Sequence, residues 1–210
     1  KLVFRRAVGL YGQPTGPGRV AEMTEYLHAS WADIERLCES VAEQIRRSGF
    51  KPDLIVAIAR GGFPPARILS DILDVRRVAS ITVEYYAAVG KHQAEPYVVF
   101  PLNADVRGKR VLLVDDVADT GHSLKLVRDL LLEQGASEVR VATLHYKPWS
   151  ILKPDYYGME TKAWVIYAWE RWETVRDLAA KFAKEGKDPV AELVRIGFDE
   201  ELVQKVLGSS

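Results

Sequence analysis

An open, mainly parallel α/β sheet flanked by helices is the fold class this chain predicts, and three features carry that expectation. Residues 54–59 (LIVAIA) and 111–114 (VLLV) are unbroken apolar runs, as strands covered on both faces require. Each run is followed by a glycine-bearing turn, Arg60 to Gly62 and Ala118 to Gly121, that leads into helical periodicity. Apolar strand-like stretches then alternate with helical ones through most of the 210 residues, the pattern of β-α-β crossovers.

The elements follow in order. Residues 9–18 (GLYGQPTGPG) are mostly Gly and Pro and read as an extended arm. Ser30 with Asp33 resembles a capping box, and Trp31, Ile34, Leu37, Cys38, Val41, Ala42 and Ile45 recur at helical spacing up to Gly49. After the break at Pro52 come the strand Leu54 to Ala59, the turn Arg60 to Gly62, and a helix whose first turn tolerates Pro64 or Pro65. RVASITVEYY is a second strand and YVVF a further short one, with the polar loop Gly90, Lys91, His92 and Gln93 between them. KRVLLVDD is the next strand, Ser123 to Gln134 a helix ending near Gly135, EVRVATLHY another strand, and KAWVIYAWE the last. Beyond residue 171 the helix starts Asp188-Pro189 and Asp199 and the stops Gly197 and Gly208 indicate two or three short helices, an appended lid or a dimer contact. The expected segments are an arm over 1–23, a main domain over 24–172 and a helical extension over 173–210.

Composition narrows the classes. With 29 basic and 29 acidic residues, no global field draws the protein to nucleic acid or an anionic membrane. No apolar stretch approaches the roughly 20 residues that span a bilayer, and no signal-peptide core is seen, so the expectation is a soluble cytoplasmic protein. Cys38 is the only cysteine, which excludes an internal disulfide and a CxxC metal knuckle.

Residues 111–124, VLLVDDVADTGHSL, hold the densest chemistry. In an open α/β sheet, ligands gather at the carboxyl ends of strands, and a glycine turn into a helix offers amides to phosphate. Ala118, Asp119, Thr120, Gly121, His122 and Ser123 would wrap one phosphate, while Asp115 and Asp116 are acceptors suited to a vicinal diol. Asp116 would also hold Mg²⁺, directly or through water. Phosphate beside diol describes a ribose 5-phosphate; a surface joint rich in helix-capping Asp is the plain alternative. Ala59, Arg60, Gly61 and Gly62 offer a second cradle, with close backbone approach and one fixed charge.

The 111–124 stretch closely resembles the phosphoribosyl pyrophosphate motif of type I phosphoribosyltransferases. The likeness extends over roughly residues 25–172 and is nearest to xanthine-guanine and other 6-oxopurine enzymes of bacterial and archaeal type. It implies a core sheet with a small hood, in which a purine displaces pyrophosphate from the ribose, with Mg²⁺ on the donor. It further implies that Ala59 to Gly62 form the pyrophosphate loop, often built around a non-proline cis peptide. By the same resemblance Asp119 accepts the purine N7 proton, Lys147 bonds the 6-oxo group, and Trp164 with Val165 forms the purine face. Lys147 as a solvated strand-end charge and Trp164 as core are the plain readings; Trp169 and Trp172 are expected to be packing residues. Glu84-Tyr85 aligns with the Ser-Tyr pair of a closing loop, although Glu84 replaces the serine. Ile166 stands where the xanthine-guanine pattern has an acid, which sets xanthine apart from hypoxanthine and guanine. The family likeness also implies a homodimer. The alternatives are a phosphoribosyltransferase for another base such as adenine, against which Asp119 and Lys147 argue, and a non-catalytic sensor of the donor.

Overall fold

The computed structural model describes residues 5–10, 23–86 and 95–208. Its elements run β1 (Arg5–Leu10), β2 (Met23–Ala29), α1 (Trp31–Ser48), β3 (Leu54–Ala59), α2 (Phe63–Ile72), β4 (Val78–Tyr86) and β5 (Glu95–Phe100). They continue with β6 (Arg110–Ala118), α3 (His122–Glu133), β7 (Glu138–Tyr146), β8 (Tyr156–Glu160), β9 (Trp164–Tyr167), α4 (Arg171–Lys184), α5 (Pro189–Arg195) and α6 (Glu200–Leu207). Two compact units result: Ile34–Thr161, and the pair of segments Lys1–Asp33 and Lys162–Ser210. This partition differs from the segments 1–23, 24–172 and 173–210, which rest on motif coverage rather than on compactness.

The unit Ile34–Thr161 is built on a six-stranded sheet of order β5-β4-β3-β6-β7-β8. Only the edge strand β5 is antiparallel to its neighbour; the other pairs are parallel. The two unbroken apolar runs take the centre: every residue of β3 is buried, as are Val111 to Val114 of β6. Central parallel strands have no solvent face, so alternation disappears from their sequence. On one side Val56, Ile58, Val111, Leu113 and Val141 join Leu124, Val127 and Leu131 of α3 in one apolar cluster. From the α1 side Gln44 Nε2 donates to the Tyr157 carbonyl at 2.9 Å, and Ser48 Oγ lies 2.7 Å from the Tyr156 hydroxyl, which ties that helix to β8. Cys38 is fully buried, and burial pushes its thiol up to about 12, as expected of a core thiol.

In the other unit β1, β2 and β9 form a small sheet, β1 antiparallel and β9 parallel to β2. The strand expected at KAWVIYAWE narrows to Trp164–Tyr167 and belongs here rather than to the main sheet. Helices α4, α5 and α6 cover this sheet with Val175, Leu178, Phe182, Leu193, Ile196, Phe198 and Val203, packed with Tyr26 and Ile166. Asp188 and Asp199 cap α5 and α6 through their side chains, each accepting from two first-turn amides. Ser30 and Asp33 form the expected capping box: the Asp33 N–H donates to Ser30 Oγ at 3.2 Å and the Ser30 N–H to Asp33 Oδ2 at 3.1 Å. Trp169 stacks on Tyr167 at 4.6 Å. Trp172, expected to be packed, is 45% exposed with the Lys205 ammonium 5.9 Å from its ring centre. Residues 11–18 of the expected arm and the polar loop Gly90 to Gln93 lie outside the described residues.

Candidate active site

Topology decides where the two glycine turns meet. The chain passes from β3 through α2 to β4 on one side, and from β6 through α3 to β7 on the other. The winding therefore reverses between β3 and β6, and their carboxyl ends open a crevice there. The ladders show the split: β3 and β6 remain paired as far as Ala57 and Val114, whereas β6 follows β7 on to Ala118 and Tyr146. Asp115 and Asp116 are the first residues past the fork.

Two helices present their N-termini at this point. The N-cap residues are Gly62 for α2 and Gly121 for α3, and neither terminus has a side-chain cap. In α3 the first-turn amides that no side chain satisfies are suited to an anion, whereas in α2 the Phe63 N–H donates to the Arg60 carbonyl at 3.1 Å and Pro64 and Pro65 carry no N–H. Gly121 sits at φ +82°, and a Cβ there would collide with the Ser150 side chain and come within 2.8 Å of the Leu152 nitrogen. The Ala59–Arg60 peptide is cis. A Cβ on Gly61 would overlap the Asp116 carboxylate, with Cγ at 2.6 Å. The turn after β3 thus lies directly against the acid at the end of β6.

A pocket of about 260 Å³ is lined by Asp115, Asp116, Asp119, Thr120, Gly121, Ser123 and Tyr85, among others. Ala118 is buried and His122 exposed, and neither side chain lines it. Ser123 Oγ donates to the Tyr85 hydroxyl at 2.9 Å, and that hydroxyl lies 3.4 Å from Thr120 Oγ1. Tyr85 on β4 therefore roofs the glycine turn, at the position that the resemblance aligns with the tyrosine of a closing loop. The Asp116 N–H donates to Asp115 Oδ1 at 2.9 Å. Desolvation pushes both carboxyls above the usual carboxylate range, and for Asp115 the charge of Asp116 adds to it. Such a pair is incomplete electrostatically and is relieved by hydroxyl donors or a cation. Among the described residues no group of three or more His, Cys, Asp or Glu is placed to hold a metal ion.

Lys147 follows β7 and is 5% exposed. Its N–H donates to the Ala118 carbonyl at 3.0 Å, which fastens the strand end to the glycine turn. Burial lowers the Lys147 ammonium below its usual range, and the negative charge of Asp119 opposes that shift. Asp119 is exposed on the turn, and its Oδ1 accepts the indole N–H of Trp149 at 2.9 Å. The turn 148–152 is part of this site and was not foreseen from sequence. Its signal was an aromatic residue two positions after Lys147, just beyond a strand end. Trp164 and Val165 lie on β9 of the other unit, Trp164 52% exposed and Val165 8%. Trp164 is therefore not the core residue of the plain reading.

Comparison with known proteins bears on the same region. A phosphoribosyl transferase domain matches residues 29–176. A xanthine-guanine phosphoribosyltransferase of Ruegeria sp. is 34% identical over 155 residues, covering 68% of this chain and 84% of the relative. The crystal structure of a purine phosphoribosyltransferase from Pyrococcus horikoshii aligns with a TM-score of 0.62 at 37% identity, over 69% of this chain and 93% of that one. A hypothetical protein from Neisseria gonorrhoeae with bound ppGpp aligns at 0.65 and 30% identity, over 79% of this chain and 99% of that one. A domain match over most of the length, joined by relatives above 30% identity that are themselves covered almost throughout, places the chain in the phosphoribosyltransferase family.

Proposed function

We propose that the protein is a purine phosphoribosyltransferase that moves the ribose 5-phosphate of phosphoribosyl pyrophosphate onto a 6-oxopurine, releasing pyrophosphate, as in purine salvage. The meeting of the two glycine turns and the acidic strand end at one topological switch point carries this reading. The Ala118 to Ser123 turn would hold the 5′-phosphate with the amides of α3 and the hydroxyls of Thr120 and Ser123. Asp115 and Asp116 would accept from the 2′- and 3′-hydroxyls, and the Arg60 and Gly61 amides with the Arg60 guanidinium would take the diphosphate, while the Gly62 N–H holds the turn by donating to the Ile58 carbonyl at 2.8 Å. In the transfer, the bond between C1′ and the pyrophosphate oxygen breaks while purine N9 bonds to C1′. Asp119 would accept the N7 proton released as N9 becomes substituted, a contribution of roughly 10² to 10⁴ in rate.

Mg²⁺ fits the acceptors present. The raised, mutually repelling carboxyls of Asp115 and Asp116 favour a nearby cation, yet they do not make a closed protein site, as expected of an ion that arrives on the donor. When bound, it would neutralise charge on the pyrophosphate leaving group.

The base is selected by donor and acceptor pattern. The Lys147 ammonium is a donor only, so it complements a 6-oxo group and opposes the amino group of adenine. Hypoxanthine and guanine are the proposed substrates. Several relatives are named xanthine-guanine phosphoribosyltransferases, whereas Ile166 lacks the acid of that pattern, so xanthine is the third arm of the test. A stacking role for Trp164 and Val165, a homodimer formed around the Arg60 to Gly62 region and a cytoplasmic location complete the reading. Among the described residues no helix is long and apolar enough to cross a membrane.

The test is incubation with phosphoribosyl pyrophosphate, Mg²⁺ and each purine in turn, with nucleotide and pyrophosphate both measured. Because the neisserial relative holds ppGpp, that nucleotide belongs in the same assay as a competitor. Absence of nucleotide from every base, or preference for adenine, would refute the assignment. Elution as a monomer would remove the dimer.

A further inference from the structure

Trp149 is the feature for which the roles above have no use. It stands in the turn after β7, two residues beyond Lys147, and donates its indole N–H to Asp119 Oδ1 at 2.9 Å. The Lys147 ammonium lies 5.7 Å from the centre of the same ring. One rigid aromatic therefore touches both the proposed base and the proposed reader of the 6-oxo group. Packing does not explain it, because the side chain is 53% exposed and a large ring left in water forgoes most of its hydrophobic gain.

We propose that Trp149 is a positioning residue for the transfer reaction. Its N–H anchors one oxygen of Asp119 so that Oδ2 is the one presented to the purine N7 proton, and its ring sets the spacing between that carboxylate and the Lys147 ammonium. The inference rests on Asp119 being the base. The chemistry asks for such a spacer because O6 and N7 are neighbours on one edge of a 6-oxopurine, so the protein must offer a donor and an acceptor side by side. Asp119 is exposed, and an exposed carboxylate without an anchor samples several rotamers. The indole comes from a frame tied to the same turn: Lys147 N–H to Ala118 carbonyl, Ser150 N–H to Lys147 carbonyl and Ile151 N–H to Thr120 carbonyl, each 3.0 Å. During transfer the N7–H bond breaks and an O–H bond forms on Oδ2, while the indole N–H stays on Oδ1. No other proton moves.

Trp149→Phe keeps the ring that faces Lys147 and deletes only the N–H. It should lower kcat about tenfold with the best purine, leave the KM for phosphoribosyl pyrophosphate within about twofold, and leave the thermal midpoint unchanged. Placed in an Asp119→Asn background, the same substitution should cost nothing further, because its effect passes through the carboxylate. An unchanged kcat, an equal loss in both backgrounds, or a loss that follows a lowered thermal midpoint would overturn the inference while leaving the proposed function standing. Failure of the unaltered protein to make nucleotide from any purine would instead bring down the function and this inference together.

Discussion

Gly61→Ala tests whether the two turns form one site. A Cβ at this position would overlap the Asp116 carboxylate, whose Cγ lies 2.6 Å away. Ordinary contact between carbons needs about 3.5 Å, so the carboxylate must retreat by about 1 Å. That distance takes an acceptor out of hydrogen-bond range of a ribose hydroxyl. Losing one hydrogen bond to a charged group costs about 1.5–3 kcal/mol, or roughly 10- to 150-fold in affinity. The neighbour is a side chain that can move, so the fold should survive. Gly62→Ala is the control: there a Cβ would meet the Val114 carbonyl oxygen at 2.5 Å and the Ile58 carbonyl oxygen at 2.6 Å, backbone atoms that cannot yield without disturbing β3 and β6. Calorimetric titration with phosphoribosyl pyrophosphate and Mg²⁺, alongside thermal unfolding, separates the two. Gly61→Ala should weaken binding at nearly unchanged midpoint, and Gly62→Ala should lower the midpoint first. Unaltered donor affinity in a folded Gly61→Ala protein would refute the claim that Asp116 grips the ribose.

Asp119→Asn should reduce kcat by about 10²-fold or more while changing donor affinity little; equal losses in both would count against a base at this position. Lys147→Met preserves much of the buried aliphatic stem and removes the donor, so the KM for the preferred 6-oxopurine should rise at least tenfold and discrimination against adenine should shrink, as competition assays would read. His145, fully buried on β7, is pulled down to about 3 by burial and then by the charge of Lys147, against an unfolded value of about 6.5. Between those values the unfolded chain binds a proton that the folded one does not. Its contribution to stability is therefore whole above pH 6.5 and declines as pH falls, by up to about 1.4 kcal/mol per pH unit. Asp115 and Asp116 act in the opposite sense, so the readout is the difference in urea midpoint between the unaltered protein and His145→Gln at pH 7 and pH 5; a difference independent of pH would show that the imidazole is not held neutral.

What could be read from the sequence was whatever is local in the chain. The buried runs of β3 and β6, the capping box at Ser30 and Asp33, and the Asp caps of α5 and α6 each depend on residues within a few positions of one another, so a one-dimensional pattern records them. The composition of the turn after β6 is local in the same way. Strand partnership is not: β2 and β8 carry no strong alternation, and the strand at residues 164–167 could join any open edge until long-range pairing put it beside β2. The contacts of Tyr85 with Ser123 and of Trp149 with Asp119 join residues 38 and 30 positions apart. Residue type alone therefore determined that this chain carries a glycine turn into a helix, of the kind suited to phosphate, with acids beside it. Only the fold decided that the Arg60 to Gly62 turn lies against Asp116, because that meeting comes from the reversal of winding between two strands more than fifty residues apart, a property of the sheet that no segment of sequence holds.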